Sequence, residues 1–323
     1  MTFAVEAEHL TKHYAELVAV DDLNVTIREG EIFGLLGPNG AGKTTTLSML
    51  ATLLKPTAGT ARVNGFDINS NPADVRRSIG IVFQDPSSDD ILTGRENLYL
   101  HALMFGVPKA ERDNRIDHVL SLVDLKDRQD DIVKKYSGGM RRRLELARGL
   151  LHQPRTLFLD EPTLGLDPQT REHIWAYIEN LVASEKVTVI ITTHYMEEAD
   201  RLCHRVAIID HGKIVALDKP SALKSKVGGD IIQLTVRAPQ IDRLKKLDYI
   251  SSVEQQGSVL RLTVKDASRH LQEILASAGE AEAVEVRTAT LNDVFLHYTG
   301  REIREEAGEG GIFERIARTR SGR

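Results

Sequence analysis

The chain has 323 residues, of which 41% are hydrophobic and 28% are charged, and its formal net charge is −5. This length accommodates one large and one small domain, or two medium ones, and the composition is typical of a folded globular protein rather than a disordered one. The negative net charge argues against a protein that coats DNA.

The cysteine content and the apolar runs bear on the cellular compartment. Cys203 is the single cysteine, which excludes a disulfide framework and a cysteine-rich zinc site and favours a reducing environment. No apolar run approaches the ~18 residues that a membrane-spanning helix needs, and residues 1–10 lack the basic start and the apolar core of a secretory signal. We therefore expect a cytoplasmic protein.

Residues 1–225 have the pattern of an α/β domain. Short apolar or β-branched runs alternate with segments of helical period, which predicts a mainly parallel sheet covered by helices on both faces. The predicted strands are Glu31–Leu36, Ser78–Phe83, Thr156–Asp160, Val187–Thr193 and Arg205–Ile209. Residues 86–150 lack a convincing strand, and we expect a helical subdomain there. Its predicted helices are Leu98–Phe105, Arg112–Leu125 and Arg141–Leu151.

A second, smaller domain is predicted over residues 226–300, after a joint made flexible by Gly228 and Gly229. Its elements follow the order β-α-β-β-α-β, which is that of the ferredoxin-like α+β fold. They are Ile231–Arg237, Ile241–Leu247, Ser251–Gln255, Val259–Lys265, Ser268–Ala278 and Ala283–Arg287, followed by a closing helix, Thr290–Tyr298. Residues 301–323 form a polar tail that we expect to be flexible.

A phosphate-binding loop is predicted between a strand and a helix. Residues 37–45 match the pattern G-x-x-x-x-G-K-[ST] in the strand–loop–helix setting that it requires. The glycines let successive backbone N–H groups point inward and form, with the helix N-terminus, a nest for β- and γ-phosphates. Lys43 adds a mobile positive charge, and Thr44 offers a hydroxyl to Mg²⁺. The expected nucleotide-binding residues are Gly37, Pro38, Asn39, Gly40, Ala41, Gly42, Lys43, Thr44 and Thr45.

Polar side chains also follow three other predicted strands, at the edge of a parallel sheet where ligands bind. Asp160 can hold Mg²⁺, and Glu161 beside it can accept a proton from an attacking water or orient that water. Gln84 can reach a metal or a water, and His194 can donate to a γ-phosphate. Each of these four residues, taken alone, has an ordinary structural explanation. Only the expectation that they lie close to the phosphate loop favours a functional role.

A second anion-binding helix start is predicted at residues 136–140, Tyr-Ser-Gly-Gly-Met. Ser137 and the two glycines that follow it leave backbone N–H groups free at the start of a helix. One ATP does not obviously need two such helix starts from one molecule. A head-to-tail pair of chains, in which each nucleotide is held by both, would use both starts.

Together these motifs closely resemble the nucleotide-binding subunit of ABC transporters over residues 5 to 220, and most of all the ATPases of ABC-2-type exporters of the daunorubicin-resistance subfamily. The subfamily resemblance comes from residues 82–97, from the Tyr-Ser-Gly-Gly-Met segment and from Leu-Asn-Asp-Val-Phe-Leu-His-Tyr-Thr-Gly at residues 291–300. Tyr136, Met140, Leu164 and Asn292 depart from the common family pattern.

The resemblance implies a P-loop NTPase fold and a role for each motif. Residues 37–45 are then the Walker A motif, and residues 156–161 are the Walker B motif, with Asp160 assisting Mg²⁺ and Glu161 as the catalytic carboxylate. Residues 164–167 are the D-loop. The other implied roles are the Q-loop glutamine for Gln84, the switch histidine for His194, the adenine-stacking aromatic for Tyr14, and the signature for Ser137, Gly138, Gly139 and Met140.

The resemblance also implies partners and a location. Two copies would enclose two ATP molecules with Mg²⁺, and Asp85–Asn97 would meet a separate transmembrane permease. The chain would then be peripheral on the cytoplasmic face of the membrane, where it powers export of a drug, lipid or polysaccharide-like substrate. No nucleic-acid partner is expected, because Arg141, Arg142 and Arg143 are interpreted as a solvated helix face that Glu145 partly balances.

Two rival functions are less well supported. Soluble ABC-type ATPases that act on DNA carry a long coiled coil between the Walker A motif and the signature, which this chain lacks, and those that act on ribosomes carry two cassettes where this chain has one. A nucleotide sensor that does not hydrolyse ATP would not need both Glu161 and His194.

Overall fold

The computed structural model describes residues 2–15, 17–237 and 239–300, which form two compact units. The first extends to Val215, and the second begins at Ala216, inside a strand. The predicted tail at residues 301–323 lies outside the described residues. Among the helices of the described residues, none combines the length and the hydropathy of a membrane-spanning segment.

The first unit is built from strands and helices in alternation. Its strands are β1 (Phe3–Tyr14), β2 (Leu17–Arg28), β3 (Ile32–Leu36), β4 (Ala58–Val63), β5 (Phe66–Asp67), β6 (Ile79–Val82), β7 (Thr156–Asp160), β8 (Thr188–Thr193), β9 (Arg205–Asp210) and β10 (Lys213–Asp218). Its helices are α1 (Lys43–Leu50), α2 (Pro72–Ser78), α3 (Gly94–Met104), α4 (Lys109–Leu122), α5 (Gly138–Leu150), α6 (Pro168–Glu185) and α7 (Met196–Leu202).

A six-stranded sheet of order β10-β9-β3-β8-β7-β6 forms the centre of this unit. Strands β9, β3, β8, β7 and β6 are parallel neighbours, and the apolar residues of β3 and β8 are buried because the sheet is covered on both faces. The predicted α/β class with a parallel sheet is confirmed. All five predicted strands are present, with ends that differ by one residue at most. The order places the C-terminal ends of β3, β8, β7 and β6 side by side.

A second, antiparallel sheet of order β2-β1-β4-β5 was missed by the sequence analysis. Charged residues interrupt the apolar residues of β1, and only part of the strand alternates regularly between buried and exposed positions. The register of β1 against β2 shifts between Ala7 and Leu10. Within this stretch His9 has a left-handed φ of 52°, and its Nδ1 lies 2.6 Å from Asp22 Oδ1. Such irregularities disrupt the period of two by which strands are recognised.

The predicted helical subdomain at residues 86–150 consists of α3, α4 and α5, with two short 3₁₀ turns at residues 126–128 and 133–135. As predicted, none of the strands of the described residues lies in this subdomain. Tyr136 is buried before α5, and its hydroxyl donates to Arg128 O at 2.7 Å. The absence of a side chain at Gly94 makes room for this ring, since a Cβ there would lie 2.3 Å from the Tyr136 hydroxyl. Tyr136, which departs from the common family pattern, is therefore accommodated by a specific packing site and a hydrogen bond.

The second unit has the predicted ferredoxin-like arrangement. Its elements are α8 (Pro220–Lys226), β11 (Asp230–Val236), α9 (Ile241–Leu244), β12 (Ile250–Gln256), β13 (Val259–Val264), α10 (Ala267–Ala278), β14 (Ala281–Arg287) and α11 (Leu291–Thr299). The antiparallel sheet has the order β12-β13-β11-β14, and its buried face packs against α9 and α10 through Leu234, Leu262 and Ile274. Helix α8 contacts α11, and the compact unit accordingly starts before the predicted boundary at residue 226.

A buried carboxylate holds α11 to the sheet of the second unit. Asp293 forms a capping box with Thr290, and it accepts hydrogen bonds from Arg287 on β14 and from Arg261 on β13. Burial alone would raise the pKa of Asp293, but the hydrogen bonds from Arg287 and Thr290 outweigh it and lower this pKa to about 2. The ionised form of Asp293 therefore stabilises the folded state.

We predict that Asp293→Asn lowers the free energy of unfolding by about 2 kcal/mol at pH 7, because it removes an ionised group whose pKa is depressed by folding. A carboxylate whose pKa is lowered by folding stabilises the folded state fully at pH values above its pKa in the unfolded chain, which is near 4. This stabilisation disappears as the pH falls through the pKa that the group has in the folded chain. The deficit of Asp293→Asn should therefore halve by about pH 3. Urea unfolding at several pH values measures this, with the exposed Asp242→Asn as control. A deficit that does not change with pH would contradict the assignment.

Candidate functional site

The phosphate loop lies after β3, in the setting that the sequence predicts. Gly42 has a φ of 105°, and a Cβ on it would lie 2.4 Å from Ala19 O, so only glycine fits there. Gly37 N donates to Thr193 O at 3.2 Å, which ties the loop to the end of β8. Lys43, at the start of α1, is 4% exposed, and its ammonium donates to Gly37 O at 2.8 Å and to Pro38 O at 3.1 Å.

The acidic residues after β7 lie directly against this loop. Thr44 Oγ1 donates to Asp160 Oδ1 at 3.0 Å, and Lys43 Nζ lies 3.4 Å from Glu161 Oε1. His194, after β8, places its Nδ1 3.2 Å from the same Glu161 oxygen. The structure therefore brings together five residues that the sequence predicts from three separate segments, and all but Thr44 are buried.

Burial and charge act differently on the three charged groups of this cluster. Burial raises the pKa of Asp160, although hydroxyls donate to it, and burial lowers the pKa of Lys43, although Glu161 opposes this. Burial would also raise the pKa of Glu161, but His194 and Lys43 outweigh it and hold that pKa below its ordinary value. Glu161 is therefore an ionised, buried carboxylate, able to accept a proton or to orient a water.

Thr192, at the end of β8, was missed by the sequence analysis. Its hydroxyl donates to Asp160 Oδ1 and accepts from Glu161 N at 3.1 Å, and its carbonyl accepts from the same N–H. Glu161 has a left-handed φ of 47°, a conformation that costs free energy in a non-glycine residue and persists only where neighbours hold it. A threonine in a β-branched strand gives no sequence signal of this role, because its strand propensity explains it equally well.

The predicted signature lies at the start of α5, where Ser137 is the N-cap and accepts from Met140 N at 3.3 Å. Ser137 is exposed. A Cβ on Gly139 would lie 2.5 Å from the side chain of Thr170 on α6, whose N-cap is Asp167. The signature therefore packs next to the predicted D-loop, and its serine faces solvent.

The two remaining predicted site residues lie at the margins of this cluster. Tyr14, at the end of β1, is 38% exposed, and Lys12 Nζ lies 5.2 Å from the centre of its ring. Burial raises the pKa of Tyr14, while an interaction with Thr45 of the phosphate loop lowers it. Gln84 follows β6, and its carbonyl lies 3.5 Å from Arg142 Nη1.

The interpretation of Arg142 and Glu145 as part of a solvated helix face is wrong. Arg142 is 6% exposed and Glu145 is 4% exposed. The guanidinium of Arg142 donates to backbone carbonyls, and Glu145 accepts from Ser87 and Ser88. These partners lie far from Arg142 and Glu145 along the chain, so local charge patterning does not reveal them.

Comparison with known proteins identifies the family. A family model described as "ABC transporter" matches residues 20–164, and one described as "ATP-binding protein DrrA1-3-like, C-terminal domain" matches residues 219–299. The daunorubicin resistance ATP-binding protein DrrA2 of Streptomyces coeruleorubidus is 40% identical over 92% of this chain and 95% of its own length. The chain belongs to the ABC transporter ATP-binding family. It is an ATP-hydrolysing subunit of the exporter type that the sequence predicts.

Other members of the ABC family agree with this assignment. A Nod factor export ATP-binding protein I of Paraburkholderia xenovorans is 41% identical over 94% of this chain and 99% of its own length. Among solved structures, the ATP-binding cassette MJ0796, described as dimeric in a post-hydrolysis state bound to ADP and Pi, is 28% identical with a TM-score of 0.60, and it covers 67% of this chain and 98% of its own length. The expected ABC ATPase fold is confirmed.

We predict that Thr192→Val lowers the rate of ATP hydrolysis by on the order of 10- to 100-fold, because small displacements of a reacting group can cost this much. Nucleotide binding should change little, since the phosphate loop is intact. Steady-state hydrolysis and binding of a fluorescent ATP analogue measure the two effects. The control is Thr188→Val on the same strand, whose hydroxyl accepts from Gly30 N at 3.0 Å at the other end of the sheet. Equal hydrolysis by the two variants would contradict the role of Thr192.

Proposed function

We propose that this chain binds Mg²⁺-ATP in the loop of residues 37–45, hydrolyses it with a second copy of itself, and so powers export through a separate transmembrane permease. The observation that carries the proposal is the direct contact of Lys43 and Thr44 with Glu161 and Asp160. The loop N–H groups and Lys43 bind the triphosphate, where each charge-assisted hydrogen bond contributes about 1.5–3 kcal/mol. A helix dipole contributes only ~0.3–1 kcal/mol, so affinity depends on the donors.

The groups around Asp160 fit a magnesium ion. The Thr44 hydroxyl and the Asp160 carboxylate offer oxygen atoms 3.0 Å apart, and oxygen is the ligand that Mg²⁺ prefers. When bound, Mg²⁺ supplies neutralisation of charge on the phosphate oxygens. Gln84 is the third proposed contact to the ion or to its water.

We assign hydrolysis itself to Glu161 and His194. Glu161 is ionised and fixed by Thr192, so it can orient a water or accept its proton. The His194 ring lies beside this carboxylate and is suited to contact a γ-phosphate. Tyr14 is the proposed stacking partner of the adenine, since base–aromatic stacking contributes ~1–3 kcal/mol in nucleic-acid systems.

The partner copy completes the site in this proposal. Ser137, Gly138, Gly139 and Met140 form a helix start whose serine faces solvent, and that start would close over the nucleotide of the other chain. A dimeric solved relative supports this arrangement.

The proposed permease contact is Asp85–Asn97, with the chain peripheral on the cytoplasmic face of the membrane. Ile91 in this segment is 77% exposed, and Met104 at the end of α3 is 79% exposed. The exported substrate would be a drug, lipid or polysaccharide-like molecule. Relatives named for daunorubicin/doxorubicin resistance, linearmycin resistance and Nod factor export support this range.

We predict that Glu161→Gln lowers ATP turnover by about 10²- to 10⁴-fold, the usual contribution of a general base. Binding of ATP should persist, and the ATP-loaded dimer should accumulate because it no longer hydrolyses its nucleotide. Turnover is measured by phosphate release and the dimer by light scattering. The exposed Glu197→Gln is the control, and unchanged turnover in Glu161→Gln would remove the catalytic role of this residue.

Ser137→Arg should leave ATP binding to the single chain intact and abolish ATP-dependent dimerisation, because a long charged side chain would enter the interface. Light scattering in the Glu161→Gln background measures this, with the exposed Ser184→Arg on α6 as control. A normal dimer of the Ser137→Arg variant would exclude the shared-site geometry.

A further inference from the structure

Arg142 joins three parts of the nucleotide site through backbone carbonyls. Its Nε donates to Pro162 O at 2.6 Å, its Nη1 to Phe83 O at 2.5 Å, and its Nη2 to Asp160 O at 3.1 Å. The side chain belongs to α5, the helix that begins with the predicted signature. One guanidinium therefore links that helix to the residues before Gln84 and to the turn that carries Asp160 and Glu161.

Stability alone is a weak explanation for this group. Burial lowers the pKa of Arg142 to about 10, while Glu145 and Asp160 oppose this, so the side chain stays charged at neutral pH. Its hydrogen bonds go to backbone carbonyls, and a buried ion without a directly bonded carboxylate is expensive to desolvate. The planar guanidinium does, however, fix several acceptors in one geometry, which a lysine cannot do.

Glu145, one turn further along α5, holds the continuation of the same loop. It accepts from Ser87 N at 3.2 Å and from Ser88 N at 2.9 Å through one oxygen, and from Ser87 Oγ at 3.0 Å through the other. Arg142 and Glu145 thus bind residues 83–88 to α5 from both ends. This stretch runs into the segment proposed to meet the permease, so a displacement of that segment acts on α5 directly.

We propose that Arg142 is a positioning residue that couples the loop around Gln84 to Asp160 and Glu161 within one chain. When residues 83–88 and α5 hold their places, the guanidinium keeps the carbonyls of Asp160 and Pro162, on either side of Glu161, in the active geometry. When the loop is displaced, the same guanidinium is withdrawn from the turn. This inference rests on the proposed function, because it concerns how that site is switched.

Two substitutions of Arg142 distinguish a coupling role from a purely structural one. Arg142→Met preserves length and removes all donors, and Arg142→Lys preserves the charge but not the planar fork. The matched control is Arg143→Gln on the same helix, because Arg143 donates to the carbonyls of Val123 and Asp124 and to no residue of the Asp160 turn. All are made in the full-length chain.

The first readout is steady-state hydrolysis of Mg²⁺-ATP. Arg142→Met should lower kcat by on the order of 10- to 100-fold with KM for ATP changed by less than about threefold, since the phosphate loop is untouched. Arg142→Lys should lie between this variant and the wild type. Arg143→Gln should keep kcat within about threefold of the wild type.

The second readout is hydrogen–deuterium exchange with and without Mg²⁺-ATP in the Glu161→Gln background. With Arg142 present, nucleotide should slow exchange in residues 156–164 and in residues 79–90 together. In Arg142→Met the first segment should still respond, and the response of the second should be lost. If Arg142→Met does not fold, Arg142→Lys serves for both readouts and should show a weakened response in residues 79–90.

The outcomes distinguish the proposal from the function on which it rests. A wild-type kcat in Arg142→Met, or a reduced kcat with both segments still responding together, would overturn the coupling and leave Arg142 as a structural anchor. A wild-type chain that does not hydrolyse Mg²⁺-ATP would instead contradict the proposed function itself.

Discussion

The nucleotide site depends on partners that compensate the charges of two adjacent carboxylates, which lie largely out of contact with water at the end of a buried strand. Asp160 is 3% exposed and Glu161 is 9% exposed, and an unpaired charge in such a place is too costly to survive folding. Their partners come from other strand ends: Lys43 and Thr44 after β3, and His194 after β8. Because β3, β8 and β7 are consecutive neighbours in the sheet, the strand order itself brings these partners within reach.

The same compensation makes the site sensitive to distant parts of the chain. Glu161 keeps a left-handed backbone through Thr192, and the carbonyls on either side of it, of Asp160 and Pro162, accept from Arg142. Buried polar groups of this kind cost more when one partner is lost than they gain when both are present. Any movement of α5 therefore has an energetic consequence at the carboxylates, which is the physical basis of the proposed coupling.

Local patterns in the sequence predicted the central strands, the phosphate loop and the second unit closely. The run Thr156–Asp160 is strongly apolar and bounded by an acidic turn, and its predicted ends agree with β7. The hairpin of β12 and β13 was recognisable from Gly257 in its turn. The site cluster was predictable because each member follows a strand that is readable from its own residues.

What the sequence did not reveal depends on partners distant in the chain. Strand β1 pairs with the neighbouring β2 and also with β4, on the far side of the phosphate loop, and the irregular register around His9 hides its alternation. Arg142 and Glu145 have the charge pattern of a solvated helix face, and their burial follows from carbonyls and N–H groups that only the fold supplies. Thr192 is indistinguishable from an ordinary strand threonine until its hydroxyl is seen between Asp160 and Glu161.

The central claim, that each ATP is held by the phosphate loop of one chain and the Ser137 helix start of another, is tested most directly by mixing two inactive variants. A Glu161→Gln chain retains a functional helix start, and a Ser137→Arg chain retains a functional carboxylate. In a mixed dimer, one site combines Glu161 of one chain with Ser137 of the other, and the introduced arginine lies only in the second site, not in both as it does in a dimer of two Ser137→Arg chains. The account predicts that a 1:1 mixture hydrolyses Mg²⁺-ATP well above the sum of the two variants measured separately. Hydrolysis equal to that sum would contradict it.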